Sequence, residues 1–324
     1  MVHRTRLAAL LLAGGLALCA ALPARAETKI VEGYVSPGAP EWPEYVGLAF
    51  GWFKDNGIAL DMVGAGAGAA QQVTAGSIDL GYSGFPDFIY AINRGAPIKI
   101  IVNGLGAPPY GVYAKPAIKT VADLKGKIIS IGGPKDVTLI YIEALLATAG
   151  LSAKDCDFFY AKMTQDRFAA LISGGADAAI LYPPASFRAG RQGYTFLGDI
   201  GDLLKDFPFT VIAVNDGFAA KNRTAVEAYV RTYSRAVAWL YDTKNKDKAV
   251  EILAKATKQD VQDSADTYDY FFAKLQAFSR NGLITDTAYK KMTDALISFG
   301  ELKQPVPPLG KFFDASFVKA AWGK

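Results

Sequence analysis

From Lys29 to Asn215, short apolar runs alternate with segments of helical periodicity. This alternation is typical of sheets covered by helices, and it predicts an α/β fold. Several predicted helices end at a glycine, the residue that most easily adopts the left-handed backbone of a helix C-terminus. The predicted strands are residues 30–35, 58–63, 78–82, 98–102, 111–114, 128–131, 158–161, 178–182 and 210–214.

After Asn215 the pattern changes to amphipathic helices without strands, so the C-terminal third is predicted to be helical. The side chains of Tyr229, Tyr233, Val237 and Leu240 recur at helical spacing. Such a stripe favours core packing over a groove for a partner. The predicted helices are residues 226–241, 246–257, 261–279 and 285–299.

The first 26 residues have the pattern of a secretory signal. Arg4 and Arg6 precede an apolar run over 7–22, and residues 24–26 read Ala-Arg-Ala, a small-x-small cleavage site. We therefore predict a cleaved signal and a periplasmic mature protein. Two alternatives stay open: a membrane anchor, although the run is shorter than the ~20 residues that span a bilayer, and lipidation at Cys19.

Removal of this segment would leave no histidine and a single cysteine, Cys156. Ser-His-Asp and Cys-His catalysis are thereby excluded, and the usual ligands of zinc are missing. We predict no metal and no cofactor, and we interpret Cys156 as a buried apolar residue. The segment also removes three arginines and no acid, so the mature chain is close to neutral, which disfavours nucleic acid as a partner.

The remaining chain of about 300 residues is too long for one compact core and predicts two lobes. One short unit occurs twice, as GSIDLG at 76–81 and as GGADAA at 174–179. Each copy is predicted to close a helix, start a strand and lead to a proline near the next helix. This repetition fits two lobes built on similar plans.

Ligands of open α/β sheets bind beyond the carboxyl ends of the strands, where the next helix presents free N–H groups. Four such corners are predicted: residues 64–68, 83–86, 132–138 and 182–184. The first corner is rich in glycine, but its Gly-x-Gly-x-Gly spacing differs from the dinucleotide-binding fingerprint.

Three segments carry a resemblance to a known family: VADLKGK at 121–127 before the strand at 128–131, AGSIDLG at 75–81, and DAAILYPP at 177–184. With them, the chain resembles the periplasmic substrate-binding proteins of ABC importers in the nitrate, sulfonate, taurine and thiamin-precursor (NMT1/THI5-like) branch. The resemblance implies the two-lobed type II periplasmic binding protein fold, with mostly parallel sheets and crossover strands near 107–111 and 207–210. It also implies a small-molecule solute and a permease in the inner membrane as partners, and we expect a monomer. The expected division is signal peptide 1–26, first lobe 27–109, second lobe 110–207, and 208–324 returning to the first lobe with the C-terminal helices.

Carried over residue by residue, the cleft contacts of this family fall on Gly66, Ala67, Gly84, Phe85, Thr138 and Tyr182. The sequence departs from sulfonate binders at Ala65, Gly68 and Phe85, where hydroxyl groups are common. Asp136 also replaces a hydroxyl-bearing position and would repel an anion. These departures disfavour a strongly anionic ligand, but a sulfonate-like solute stays open as an alternative. Tyr82, Phe85, Tyr110 and Tyr182 could instead line a slot for an aromatic or heterocyclic solute.

Two further residues complete the predicted ligand site. Trp42 opens the first helix and is expected to reach the cleft, and Asp136 stands at the corner described above. The full predicted set is Trp42, Gly66, Ala67, Gly84, Phe85, Asp136, Thr138 and Tyr182. We expect the lobes to close around the solute by a hinge motion. The alternatives are an enzyme on the same fold, either like the relative that makes thiamin pyrimidine or using Asp79, Asp87 or Asp136, and a ligand sensor for a receptor.

Overall fold

The computed structural model describes residues 27–35, 37–134, 136–298 and 300–322, without the side chain of Ala67. The predicted signal segment and Cys19 lie outside the described residues. Ten strands form two five-stranded sheets. They are β1 Thr28–Tyr34, β2 Ile58–Gly64, β3 Leu80–Gly84, β4 Ile98–Leu105, β5 Gly111–Ala114, β6 Ile128–Ile131, β7 Asp157–Tyr160, β8 Ala178–Leu181, β9 Thr195–Asp199 and β10 Thr210–Asn215.

The two sheets share one plan. The first has the strand order β2-β1-β3-β10-β4, and the second has the order β7-β6-β8-β5-β9. In each sheet four strands run in the same direction, and the fourth position holds an antiparallel strand that follows a crossing from the other sheet, β10 in the first and β5 in the second. We call each sheet with its helices a lobe. The α/β, two-lobed fold class is confirmed.

Thirteen α-helices are found in the described residues. They are α1 Trp42–Ala49, α2 Trp52–Asp55, α3 Ala69–Ala75, α4 Phe85–Asn93, α5 Val137–Ala147, α6 Thr164–Ser173, α7 Ala185–Arg191, α8 Ile200–Leu203, α9 Asp216–Tyr241, α10 Lys246–Thr257, α11 Val261–Tyr268, α12 Asp286–Ser298 and α13 Ser316–Trp322. The chain changes sheets at residues 106–110 and 204–209, close to the predicted crossovers. The exact domain boundaries stay a prediction.

The helical C-terminal third is confirmed, with two differences in detail. Helix α9 is broken at Asn222, where the backbone is not helical, so a short segment precedes the predicted helix; the side chain of Asn215 caps this segment by accepting a hydrogen bond from Phe218 N at 3.1 Å. The predicted helix 261–279 is shorter, since α11 is followed by a π-helical stretch, Asp269–Lys274, and then by irregular chain. Tyr229 and Tyr233 lie in the core, as their spacing predicted.

The repeated unit has the same structural role in both lobes. Gly76 and Gly174 end α3 and α6 in the left-handed conformation, with φ of 72° and 81°. Asp79 Oδ2 then accepts a hydrogen bond from Val31 N at 2.8 Å, and Asp177 Oδ2 accepts one from Ile128 N at 3.1 Å. Each aspartate therefore ties the start of one strand to its parallel neighbour. Asp79, one of the three aspartates considered above for catalysis, therefore has a structural role here.

Cys156 is half-buried rather than buried, and its thiol donates a hydrogen bond to the carbonyl of Leu124 at 3.2 Å. The interpretation of this residue as a buried apolar side chain is therefore correct only in part, because Cys156 packs against the core without being fully covered. Its position directly before the edge strand β7 leaves one side open to solvent.

Candidate functional site

A cavity of about 470 Å³ lies between the two lobes, at the carboxyl ends of β3 and β8. Both crossovers also contribute to its wall, through Tyr110 and Phe209. The wall therefore combines side chains of both lobes with the segments about which a hinge motion would occur. Its lining residues include Val35, Pro37, Gly38, Glu41, Gly66, Tyr82, Ser83, Gly84, Asp87, Tyr110, Asp136, Lys162, Met163, Thr164, Arg167, Tyr182, Pro183, Phe209, Thr210 and Gln259. We call this cavity the cleft.

Four of the predicted ligand residues line the cleft: Gly66, Gly84, Asp136 and Tyr182. The side chain of Ala67 lies outside the described part of the chain. The corners at 83–86 and 182–184 face each other across the cavity, as the topology of the two sheets requires. Whether these residues contact a ligand stays a prediction.

Trp42 does not reach the cleft. Its side chain is fully buried, its Nε1 donates to the carbonyl of Ala249 at 3.0 Å, and its ring packs edge-on against Tyr268 and Phe272. The residue before it, Glu41, lines the cleft instead. The sequence indicated the correct corner, but the short 3-10 turn Ala39–Glu41 directs Trp42 into the helical layer.

Phe85 and Thr138 also lie behind the cleft surface rather than on it. The Phe85 ring is fully buried in the core, and only its backbone approaches the crossover, donating to Phe209 O at 3.1 Å. The Thr138 hydroxyl accepts from Gly132 N at 2.8 Å and donates to Asp136 Oδ1 at 2.6 Å. Thr138 therefore shapes the corner that presents Asp136.

Aromatic rings form one side of the cleft. The ring centroids of Tyr110 lie 5.4 Å from Tyr182 and 5.5 Å from Phe209, and both pairs are edge-to-face. The hydroxyl oxygen of Tyr182 is buried and has no hydrogen-bond partner among the described residues. This wall offers an apolar surface for a flat ring, with one unused hydroxyl group.

Three carboxyl groups face the same cavity: Glu41, Asp87 and Asp136. Asp87 Oδ2 accepts a hydrogen bond from Ser83 Oγ at 2.6 Å, yet burial still raises the pKa of Asp87. Glu41 is only 2% exposed, and burial raises its pKa well above the usual range, with repulsion from Glu32 adding to the effect. The first lobe therefore presents buried acids to the cleft.

A buried acid cluster lies behind Glu41. The hydroxyl oxygen of Tyr229 lies 2.8 Å from Glu32 Oε1 and 2.9 Å from Glu44 Oε1. Burial raises the pKa of Glu32 to about 8 and that of Glu44 well above its usual range. Because like charges raise the pKa values of acids that share a site, this cluster adds to the cost of ionising Glu41.

The second lobe contributes the cations, Arg167 and Lys162. Arg167 is 2% exposed, and its guanidinium group is already engaged within its own lobe. It donates to the carbonyls of Ile180, Ala161 and Lys162 and to the hydroxyl of Thr164, and it also hydrogen-bonds Tyr110. The Lys162 side chain lies at the exposed rim.

Ion pairs join the second lobe to the C-terminal helices outside the cleft. Arg188 and Arg191 of α7 both pair with Asp263 of α11, whose side chain is 3% exposed. Lys274 pairs with Asp199 at the end of β9, at 2.6 Å. These contacts hold the second lobe against a layer that packs on the first.

Sequence reasoning missed Glu41, Arg167 and Phe209 as cleft residues. A glutamate in the proline-rich stretch 37–43 has the signal of a solvated turn, and an arginine in an amphipathic helix has the signal of an exposed face. Only Phe209 stood within a segment that had been marked, the second crossover.

The family model described as NMT1/THI5 like matches residues 41–246. The chain belongs to the NMT1/THI5-like family. No curated protein matches it in sequence. The match covers strands β2 to β10 of both lobes and the four predicted corners, and it confirms the resemblance drawn from the sequence.

Solved structures with this architecture include periplasmic binding proteins and an enzyme. The periplasmic aliphatic sulphonate binding protein SsuA from Escherichia coli superposes with a TM-score of 0.73 at 21% identity, covering 89% of this chain and 92% of its own. The periplasmic nitrate-binding protein NrtA from Synechocystis PCC 6803 gives 0.73 at 16% identity, with 91% and 88% covered. The desulfurization enzyme DSZB gives 0.69 at 16%, with 91% and 99% covered. The NMT1/THI5-like chain therefore has the fold of periplasmic binding proteins, a fold that also hosts an enzyme.

None of the described helices combines the length and apolar character needed to span a bilayer. No group of three or more His, Cys, Asp or Glu side chains in the described ranges is placed to hold a metal ion.

Proposed function

We propose that this protein is an exported solute-binding component of an ABC importer, which captures a small organic molecule in the cleft and delivers it to an inner-membrane permease. The observation that supports this most is the cleft itself, about 470 Å³ in volume and lined by both lobes and both crossovers. A cavity of this size suits a small organic solute. A ligand that contacts both walls stabilises the closed arrangement.

The test is ligand-induced closure. A thermal-shift screen over amines, amides, pyrimidines, aromatic acids, sulfonates and nitrate should find at least one solute that raises Tm. At 100 times its dissociation constant, a ligand stabilises by roughly 2.7 kcal/mol. Small-angle scattering with that solute should report a smaller radius of gyration than without it. Unchanged dimensions at saturation would count against closure.

A matched pair of variants ties binding to the cleft. Tyr182→Ala removes part of the aromatic wall and should weaken binding of the solute found in the screen by about tenfold or more. Tyr194→Ala removes the same atoms from a half-buried site of the second lobe that does not line the cleft. Equal affinities for the two variants would place the solute elsewhere.

Transport and sensing differ in a cellular measurement. If the protein serves a permease, deleting its gene should abolish uptake of the labelled solute. If it serves a receptor, uptake should persist while the response to the solute is lost.

A second candidate is an enzyme, which the structural likeness to DSZB favours, together with Asp87 and Asp136 facing the cavity. Asp79 has no part in it, because its carboxylate holds Val31 N at the opposite end of β3. Mass spectrometry of the solute recovered after incubation separates the two functions. An unaltered molecule supports binding, and a converted one supports catalysis.

A further inference from the structure

We propose that the solute carries N–H donors on a planar head group, as an amidine or an amide does, and that Glu41 and Tyr182 bind them from opposite lobes. This inference rests on the proposed function and gives the solute a chemical class. It sets the cleft apart from those of proteins named for sulfonate or nitrate, whose ligands only accept hydrogen bonds.

The first support is a pair of unused polar atoms. Glu41 Oε2 and the hydroxyl oxygen of Tyr182 are both buried, and neither has a hydrogen-bond partner within the described ranges. Both residues line the cleft, Glu41 from the 3-10 turn before α1 and Tyr182 from the corner after β8. Buried polar atoms without partners are costly, so a pair of them on facing walls indicates the place of a ligand.

The second support is that Glu41 is held in place. Its carboxyl group accepts hydrogen bonds from backbone N–H groups, including that of Gly38, and its Oε2 has no partner among the described residues. A fixed acceptor in a buried site distinguishes ligands that can donate from ligands that cannot.

The third support is the balance of charges around the cleft. Glu41, Asp87 and Asp136 all present carboxyl groups, and Glu32 and Glu44 lie buried behind them. Against these acids, the buried cation Arg167 already donates to neutral acceptors of its own lobe. An oxyanion would therefore gain none of the donors of Arg167 and would find a free cation among the described lining residues only in Lys162 at the exposed rim, whereas an N–H donor would meet carboxyl oxygens that accept hydrogen bonds.

The aromatic wall sets the shape of the remaining part. Tyr110, Tyr182 and Phe209 offer apolar ring surface beside the two unused atoms. A planar molecule could lie against these rings while its head group reaches Glu41.

Three probes of one shape test the proposal: benzamidine, benzamide and benzoate. They share a ring and a planar head group, but the first is a cation with N–H donors, the second a neutral donor and the third an anion that only accepts. Calorimetry on the mature protein should show benzamidine or benzamide binding about tenfold more tightly than benzoate, or better. Comparison of the affinities for benzamidine and benzamide shows whether a positive charge strengthens binding beyond the hydrogen bonds that both probes donate.

Variants then assign the effect to Glu41. Glu41→Gln should lower the affinity for benzamidine about tenfold and leave that for benzoate unchanged or improved. Glu44→Gln is the matched control, because it makes the same change in a neighbouring buried residue that does not line the cleft. Tyr182→Phe removes only the hydroxyl group and serves as a second readout if Glu41→Gln fails to fold.

The outcomes separate the two proposals. Tightest binding of benzoate, or equal affinities of wild type and Glu41→Gln, overturns the ligand class, while closure around benzoate leaves the binding function standing. No binding of either N–H donor at millimolar concentration also contradicts the ligand class. Only the failure of every solute in the wider screen would count against the binding function itself.

Discussion

The two walls of the cleft come from lobes with the same strand plan, yet they differ in chemistry. The first lobe presents carboxyl groups whose charge is disfavoured by burial, above all Glu41. The second presents Arg167, whose donors are satisfied by backbone carbonyls. Lobes of the same strand topology therefore differ in their side chains: the first contributes buried carboxyl groups, and the second contributes a cation with a structural role. The fold alone does not determine what the cleft binds.

The largest expected effect in this comparison is on the second lobe. Arg167→Met removes the donors to Ile180, Ala161 and Lys162 and leaves buried carbonyls unpaired. We expect the free energy of unfolding to fall by about 3 kcal/mol or more, measured by urea denaturation.

The control for this prediction is Lys162→Met, which changes an exposed cation of the same corner and should stay within about 0.5 kcal/mol of wild type. A loss below about 1 kcal/mol for Arg167→Met would show that its buried bonds are replaced by water.

The next effect concerns the first lobe and depends on pH. Burial raises the pKa of Glu32 to about 8, from an ordinary value of 4.5. A carboxyl group with a raised pKa in the folded state contributes stability below its unfolded pKa, and this contribution is lost as the pH rises towards 8. The free energy of unfolding should therefore decrease steadily as the pH rises from 4.5 to 8.

Glu32→Gln sharpens this test, because glutamine keeps an acceptor for Tyr229 and cannot ionise. The variant should lose less stability than wild type between pH 5 and 8, measured by chemical denaturation at each pH. The pKa of Glu44 is also raised, so part of the pH dependence of stability should remain in this variant. If the free energy of unfolding falls equally with pH in the variant and in wild type, Glu32 ionises in the folded protein without a loss of stability.

The smallest effect compares the repeated unit in the two lobes. Asp79→Ala and Asp177→Ala each remove the acceptor of one strand N–H and should each cost about 1 kcal/mol. The Asp177 variant also loses the ion pair with Lys115, a partly exposed contact that adds a few tenths of a kcal/mol at most. Thermal denaturation of both variants measures the difference. A gap above about 2 kcal/mol would show that the two copies are not equivalent.

Most of the fold could be predicted from the sequence, because strands such as 111–114 and 128–131 are short apolar runs between clear turn signals. The strand β9, Thr195–Asp199, was missed. It is an edge strand with polar ends and only partial burial, so it lacks the apolar run that marks a buried strand.

The site was less predictable, for a physical reason. Corners can be located from strand ends, and Gly66, Gly84, Asp136 and Tyr182 do line the cleft. At a corner, neighbouring residues direct their side chains to different sides of the chain. The prediction therefore chose Trp42, although the residue that lines the cleft is its neighbour Glu41. Burial of an ionisable group such as Arg167 depends on tertiary contacts that leave no trace in local periodicity.

The pairs between α7 and α11 have a consequence for the lifetime of the captured molecule. Opening of the lobes would separate Arg188 and Arg191 from Asp263. Release of a bound molecule therefore requires these ion pairs to break, although they lie outside the cleft. Attraction between partly exposed ions weakens as dissolved salt increases. The dwell time of a bound molecule should consequently follow the ionic strength of the surrounding medium, even for an uncharged guest.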